Sequence, residues 1–172
     1  MLFLVSAVSA VSLYKRGIDC QGAPYCGILA LEAGRGSGNY RQPTPMVHGL
    51  WAETGSFGNS QCAGGDINAP VSPASCYNDL SFQTNEWQKH GICGGTDPTT
   101  FFNQVCALSA GPLQKMATLR SQGYSIQQMA SQFTGVFQAV SATDSIELYA
   151  CAGSDLVWRL ADVSEFSSVC NF

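Results

Sequence analysis

The chain has 172 residues, enough for one domain with a real hydrophobic core. Only 12% of them are charged and the net charge is −4, which excludes the basic footprint that a duplex-binding module needs to release counterions. The eight cysteines show no CxxC or Cys/His zinc spacing, so their even count reads as disulfides made in an oxidising compartment rather than as metal ligands.

In chain order, residues 2–13 form an uninterrupted apolar and small run after the start Met, too short to span a bilayer. The run reads as the core of a secretory signal with Val8-Ser9-Ala10 as cleavage site, and Lys15-Arg16 as a dibasic processing site. Residues 1–16 are therefore expected to be a leader and 17–172 the exported domain; a buried first strand is the competing reading. Cys20 to Cys26 is a short loop able to close on itself. Residues 27–33 are a strand or a short helix, and Gly34 to Pro45 a loop rich in Gly, Ser, Asn and Pro. Met46 to Trp51 reads as a buried strand, bounded by turn signals. Residues 54–76 are loop-like, and so long an irregular stretch is functional or pinned by bridges.

The segment Glu86-Trp87-Gln88-Lys89-His90-Gly91-Ile92-Cys93 then packs a carboxylate, an ammonium and an imidazole into five residues. In a helix, Glu86 reaches Lys89 at i,i+3 and His90 at i,i+4, so all three share one face, with Gly91 suited to the left-handed position that ends it. Asp97-Pro98 starts a helix carrying Phe101, Phe102, Val105 and Leu108; Pro112 opens a second that stops at Gly123. Ser125 with Gln128 resembles a capping box for a third, bearing Ile126, Met129, Ala130 and Phe133. In the tail Ile146, Leu148 and Ala150 alternate with Glu147 and Tyr149, and a further strand falls within 156–163. Strands flanking a helical middle predict an α+β fold: an antiparallel sheet packed against several helices in one disulfide-stapled domain.

His48 and His90 are the only histidines in the chain. Taken singly, a histidine on an apolar strand is more often a satisfied core residue than a catalyst. Glu86, Lys89 and His90 alone could be a solvated helix face worth about 0.3–0.5 kcal/mol per pair, and Trp51 and Trp87 could be core. Taken together they form a kit for acid–base chemistry. One imidazole can remove a proton while the other donates one, and Lys89 can neutralise charge building on an oxyanion or phosphorane.

His48-Gly49-Leu50-Trp51 resembles the first, and Glu86 to Cys93 the second, active-site segment of the T2 family of secreted acid ribonucleases. The paired segments occur in the family's order, and the likeness covers residues 45–172. The resemblance implies cleavage of single-stranded RNA through a 2′,3′-cyclic phosphate, without metal or other cofactor, by a secreted monomer that does not enter membranes. It makes His90 the general base, His48 the general acid, and Glu86 and Lys89 the groups that stabilise the transition state. Trp51 and Glu53 fall where the family contacts a base, although the usual Pro-Asp after the Trp is here Ala52-Glu53 and the customary Gln-Trp-Pro strand is absent. A secreted binding protein or toxin, catalytically silent on the same fold, is the alternative; a phosphodiesterase acting on 2′-deoxy substrates is another. The expected bridges are Cys20–Cys26 and Cys151–Cys170, with Cys93 joined to Cys62 or Cys76 and Cys106 taking what is left.

Overall fold

The computed structural model describes residues 18–52 and 68–172. The expected leader over 1–16, Glu53 and Cys62 lie outside the described residues. The strands are β1 (Tyr25–Glu32), β2 (Met46–Ala52), β3 (Val136–Val140), β4 (Ser145–Ala152) and β5 (Trp158–Leu160). They pair antiparallel throughout in the order β2-β1-β4-β3. β5 shares the outer edge of β4, where Ala150 to Ala152 pair with Trp158 to Leu160. The fold class expected from the sequence is the one observed, and the 27–33 ambiguity resolves as strand because seven of the eight β1 residues are buried in the sheet.

One face of the sheet is covered by helices. Leu29 and Leu31 of β1, Val47 and Leu50 of β2, and Ile146 and Leu148 of β4 pack with Phe101, Phe102, Val105, Met116 and Leu119 of α2 (Pro98–Ser121). Fully burying each such side chain contributes about 1.5–3 kcal/mol. Asp97 caps α2, its side chain accepting from the Thr100 amide at 3.0 Å, and Pro98 fills the first turn. The two helices expected on either side of Pro112 are a single helix. Proline in a helix interior costs about 3 kcal/mol, but Phe101 and Val105 before it and Met116 and Leu119 after it enter the same core. That shared burial holds the two halves in line. The capping box of α3 (Ile126–Ala130) forms as its sequence predicts, Ser125 and Gln128 exchanging side-chain and backbone bonds.

α1 (Leu80–Lys89) lies beside the β2 edge and starts earlier than the motif alone suggests, because Asp79 caps it by accepting from the Ser81 and Phe82 amides. Its end also differs. His90 is the C-cap, a 3-10 turn follows over Gly91–Gly94, and the left-handed residue is Gly95 (φ 80°) rather than Gly91. Gly91 is needed for another reason: a Cβ there would lie 2.3 Å from the Trp87 ring. The turn runs so close over the Trp87–Phe101–Phe102 cluster that no side chain fits beneath it.

On the opposite face, α4 (Phe166–Val169) closes a smaller cluster in which Phe166 packs with Cys26, Cys151, Cys170 and Ala161. Cys26 and Cys151 sit opposite one another across β1 and β4, yet each bonds elsewhere, in the expected Cys20–Cys26 and Cys151–Cys170 bridges. Cys76 bonds Cys106, tying the segment before α1 to α2. Cys93 is disulfide-bonded as well; of its two expected partners, Cys76 is taken and Cys62 lies outside the described residues. Among the described residues no helix is long and apolar enough to cross a membrane.

Candidate active site

The site is built at the β2 edge by a bulge. Leu31 pairs with Val47 and Ala30 with Gly49, so His48 has no partner on β1. Val47 and Leu50 both enter the helical core, at 0% and 1% exposure. A regular strand would send residues three apart to opposite faces. The extra residue therefore lets His48 and Gly49 both turn away from the core, towards the Glu32 end of β1.

Both ring nitrogens of His48 meet carboxylates. Nδ1 donates to Glu32 Oε1 at 2.6 Å, a short charge-assisted bond, and Nε2 lies 3.4 Å from Glu86 Oε1. The other oxygen of Glu86 accepts from the Trp51 indole N–H at 3.0 Å. Trp51 touches both imidazoles, 5.4 Å from His48 and 5.5 Å from His90 between ring centroids. The two histidines therefore flank one half-buried indole. Phe82 meets the His48 ring edge-on at 5.2 Å, and the Tyr77 hydroxyl donates to the His48 carbonyl at 3.2 Å.

α1 supplies this constellation with an unusual buried face. Its inward positions are Gln83, Glu86 and Trp87, followed by His90 at the cap, a helical i, i+3, i+4, i+7 stripe that is mostly polar. Gln83 is satisfied by the chain before the helix, accepting from the Ala74 amide at 2.7 Å. Glu86 and His90 are instead turned towards β2.

Lys89 departs from the expectation of one shared face. It is exposed, and among the described residues it forms no ion pair, because both oxygens of Glu86 are engaged by His48 and Trp51. Its charge still reaches His90, where it disfavours the imidazolium. Glu53, expected to contact a base, lies outside the described residues.

The environments drive the two histidines apart. Burial of the His48 ring works against its charged form, but the hydrogen bonds and charges of Glu32 and Glu86 outweigh this and raise its pKa to about 9. His90 is held below the ordinary value by burial, and the positive charges of His48 and Lys89 add to that against the pull of Glu86. Burial alone would raise the Glu86 pKa, but its bond to His48, with the nearby His48 and His90 charges and the Trp51 N–H, brings it down. At neutral pH the site thus holds an imidazolium, a neutral imidazole and a carboxylate.

Gly49 is the position on which this packing depends. A Cβ there would stand 2.5 Å from Glu86 Oε2, so Gly49→Ala is expected to push the carboxylate off both His48 and Trp51. Overpacking of this kind typically costs about 1–3 kcal/mol. NMR of the variant should show the His48 titration moved towards its ordinary value in a folded protein, and an unmoved titration would show that the carboxylate had found room.

The residues that the sequence reading missed are Glu32, Tyr77 and Phe82. Glu32 left one signal, a lone carboxylate in the otherwise apolar run 27–33 of a chain poor in charge. Tyr77 and Phe82 left none, since an aromatic near a cysteine or in a helix is ordinary core. No family model, curated protein or solved structure matches this chain.

Proposed function

We propose that this chain is a secreted, monomeric endoribonuclease that cleaves single-stranded RNA by transphosphorylation through a 2′,3′-cyclic phosphate, without a metal. The observation that carries the reading is the divergence of two histidines beside one indole, one favoured neutral and the other favoured charged. Pairs of titratable groups pushed apart in this way mark acid and base roles. The paired motif segments add support from the sequence, and the disulfides suit an exported protein.

In the first step His90, neutral, accepts the proton of the RNA 2′-OH as that oxygen bonds to phosphorus. The P–O5′ bond breaks and His48, charged, gives its Nε2 proton to the departing O5′. The 3.4 Å gap between Nε2 and Glu86 is longer than a good hydrogen bond, so that proton is open to a substrate oxygen. In the second step water opens the cyclic phosphate with the roles reversed. The nucleophile belongs to the substrate, which limits cleavage to RNA. Lys89 and the imidazolium offset charge on the phosphorane, while Glu86 holds His48 and Trp51 in register.

Cleavage of a dinucleotide with EDTA present tests the reading: a cyclic phosphate should appear, and a 2′-deoxy analogue should remain intact. RNA binding without cleavage would favour the silent binding protein. Trp51 should show a divided effect. Trp51→Phe keeps a ring but loses the N–H held by Glu86, so kcat should fall more than KM rises. Trp51→Ala should also raise KM, with base stacking worth about 1–3 kcal/mol. Wild-type kinetics in both variants would remove the indole from both roles.

A further inference from the structure

We propose that Glu32 is a positioning residue for His48: its buried carboxylate claims Nδ1, fixes the ring, and leaves Nε2–H as the proton to be given away. The geometry is that of an oriented imidazole. Glu32 ends β1 at 4% exposure, and its 2.6 Å contact with Nδ1 is the shorter of the two carboxylate contacts to the ring. The bulge at His48 turns the ring towards that strand end, and a ring whose one nitrogen is committed to a carboxylate has its orientation and tautomer set.

The described groups facing His48 leave Glu32 a distinct task. Glu86 of α1 faces Nε2 but divides its oxygens with Trp51. The Tyr77 hydroxyl reaches only the His48 carbonyl, and the rings of Tyr40, Trp51 and Phe82 wall the imidazole without binding its nitrogens. His90, itself neutral, faces the same indole, and the positive charges of His48 and Lys89 oppose a second imidazolium there. A substrate oxygen entering at Nε2 displaces the longer Glu86 contact and leaves the Glu32 bond in place. The donor therefore stays aligned during the transfer. The two carboxylates together keep His48 charged well into alkaline pH, so the alkaline limit of activity should lie above that of an ordinary imidazole.

This role rests on His48 being the general acid, so the experiment has two readouts. With only two histidines in the chain, each ring can be titrated separately by NMR. Glu32→Gln keeps an acceptor for Nδ1–H but removes the charge. It should lower the proton affinity of His48 about tenfold or more and move the alkaline limb of the kcat profile down with it. KM and the His90 titration should stay near wild type, and Glu32→Asp should restore part of both shifts. Should Glu32→Gln not fold, Glu32→Asp alone decides, since a retracted carboxylate must lower the His48 titration measurably. An unchanged His48 titration in a folded variant overturns the proposal. A wild-type protein that cleaves no RNA overturns the ribonuclease reading instead, and the NMR readout then decides the positioning of His48 by itself.

Discussion

Replacing His90 with alanine should lower the transphosphorylation rate by about 10²–10⁴, the usual worth of a positioned acid or base. Among the described residues, His90 is the neutral base beside the Trp51 indole. Glu86 is held as a carboxylate, but its oxygens are bound to His48 and Trp51, and Lys89 is a cation. His48→Ala should cost a similar factor by leaving the O5′ leaving group without a proton, and it also leaves Glu32 and Glu86 facing an emptied site. The double variant should be little worse than either alone, because acid and base act in one concerted unit. Glu86→Gln and Lys89→Ala should lower kcat more than they raise KM, since their work is confined to the transition state. Stopped-flow or discontinuous assays on a dinucleotide in EDTA measure all of these. Full activity in either histidine variant would refute the mechanism, and a requirement for metal would move the protein to another class of phosphodiesterase.

Much of the fold was legible because its cues are local. The capping residues Asp97, Pro98 and Ser125 act on their own first turns, and the alternation of Ile146, Leu148 and Ala150 reports one strand with one core face. What escaped was set by tertiary context. Pro112 reads as a helix start, yet the core on both sides carries α2 through it. Every residue of β3 is only half-buried, so Val136 to Val140 offered no clear two-residue period. α4 is four residues long, and its place is fixed by the burial of Phe166 and the Cys170 bridge rather than by any helical pattern. In the site, the i,i+4 spacing of Glu86 and His90 was readable, but the direction of the Glu86 carboxylate was not. That direction depends on Gly49 leaving space and on Trp51 offering an N–H, both from β2 and far from Glu86 in sequence. Glu32 joined the site only because a one-residue bulge re-aimed His48, and a bulge has no fixed sequence signature.

Stability should peak near neutral pH and fall towards alkaline pH in a way that depends on His48. Its folded pKa is raised from 6.5 to about 9, so the stabilisation it provides is complete below 6.5 and is lost as pH rises through about 9. A difference of that size corresponds to something on the order of 3 kcal/mol, a large share of a small domain's margin. The acid side is governed by other groups. His90 is lowered from 6.5, so the unfolded chain takes up its proton first and stability declines as pH drops below that value. Glu86 is lowered from 4.5, and its contribution disappears as pH falls through its still lower folded value. Tyr77, held neutral above 10 by burial and by the Glu86 charge, adds a further loss only when the unfolded tyrosine ionises, so the comparison is best kept below that pH. Urea unfolding from about pH 5 to about pH 9.5 should therefore show the wild type losing stability between 6.5 and 9, whereas His48→Ala, less stable at neutral pH, should be nearly flat over the same interval. Parallel curves for the two proteins would mean that the carboxylates do not hold His48 charged, and the assignment of His48 as the acid would fall with them.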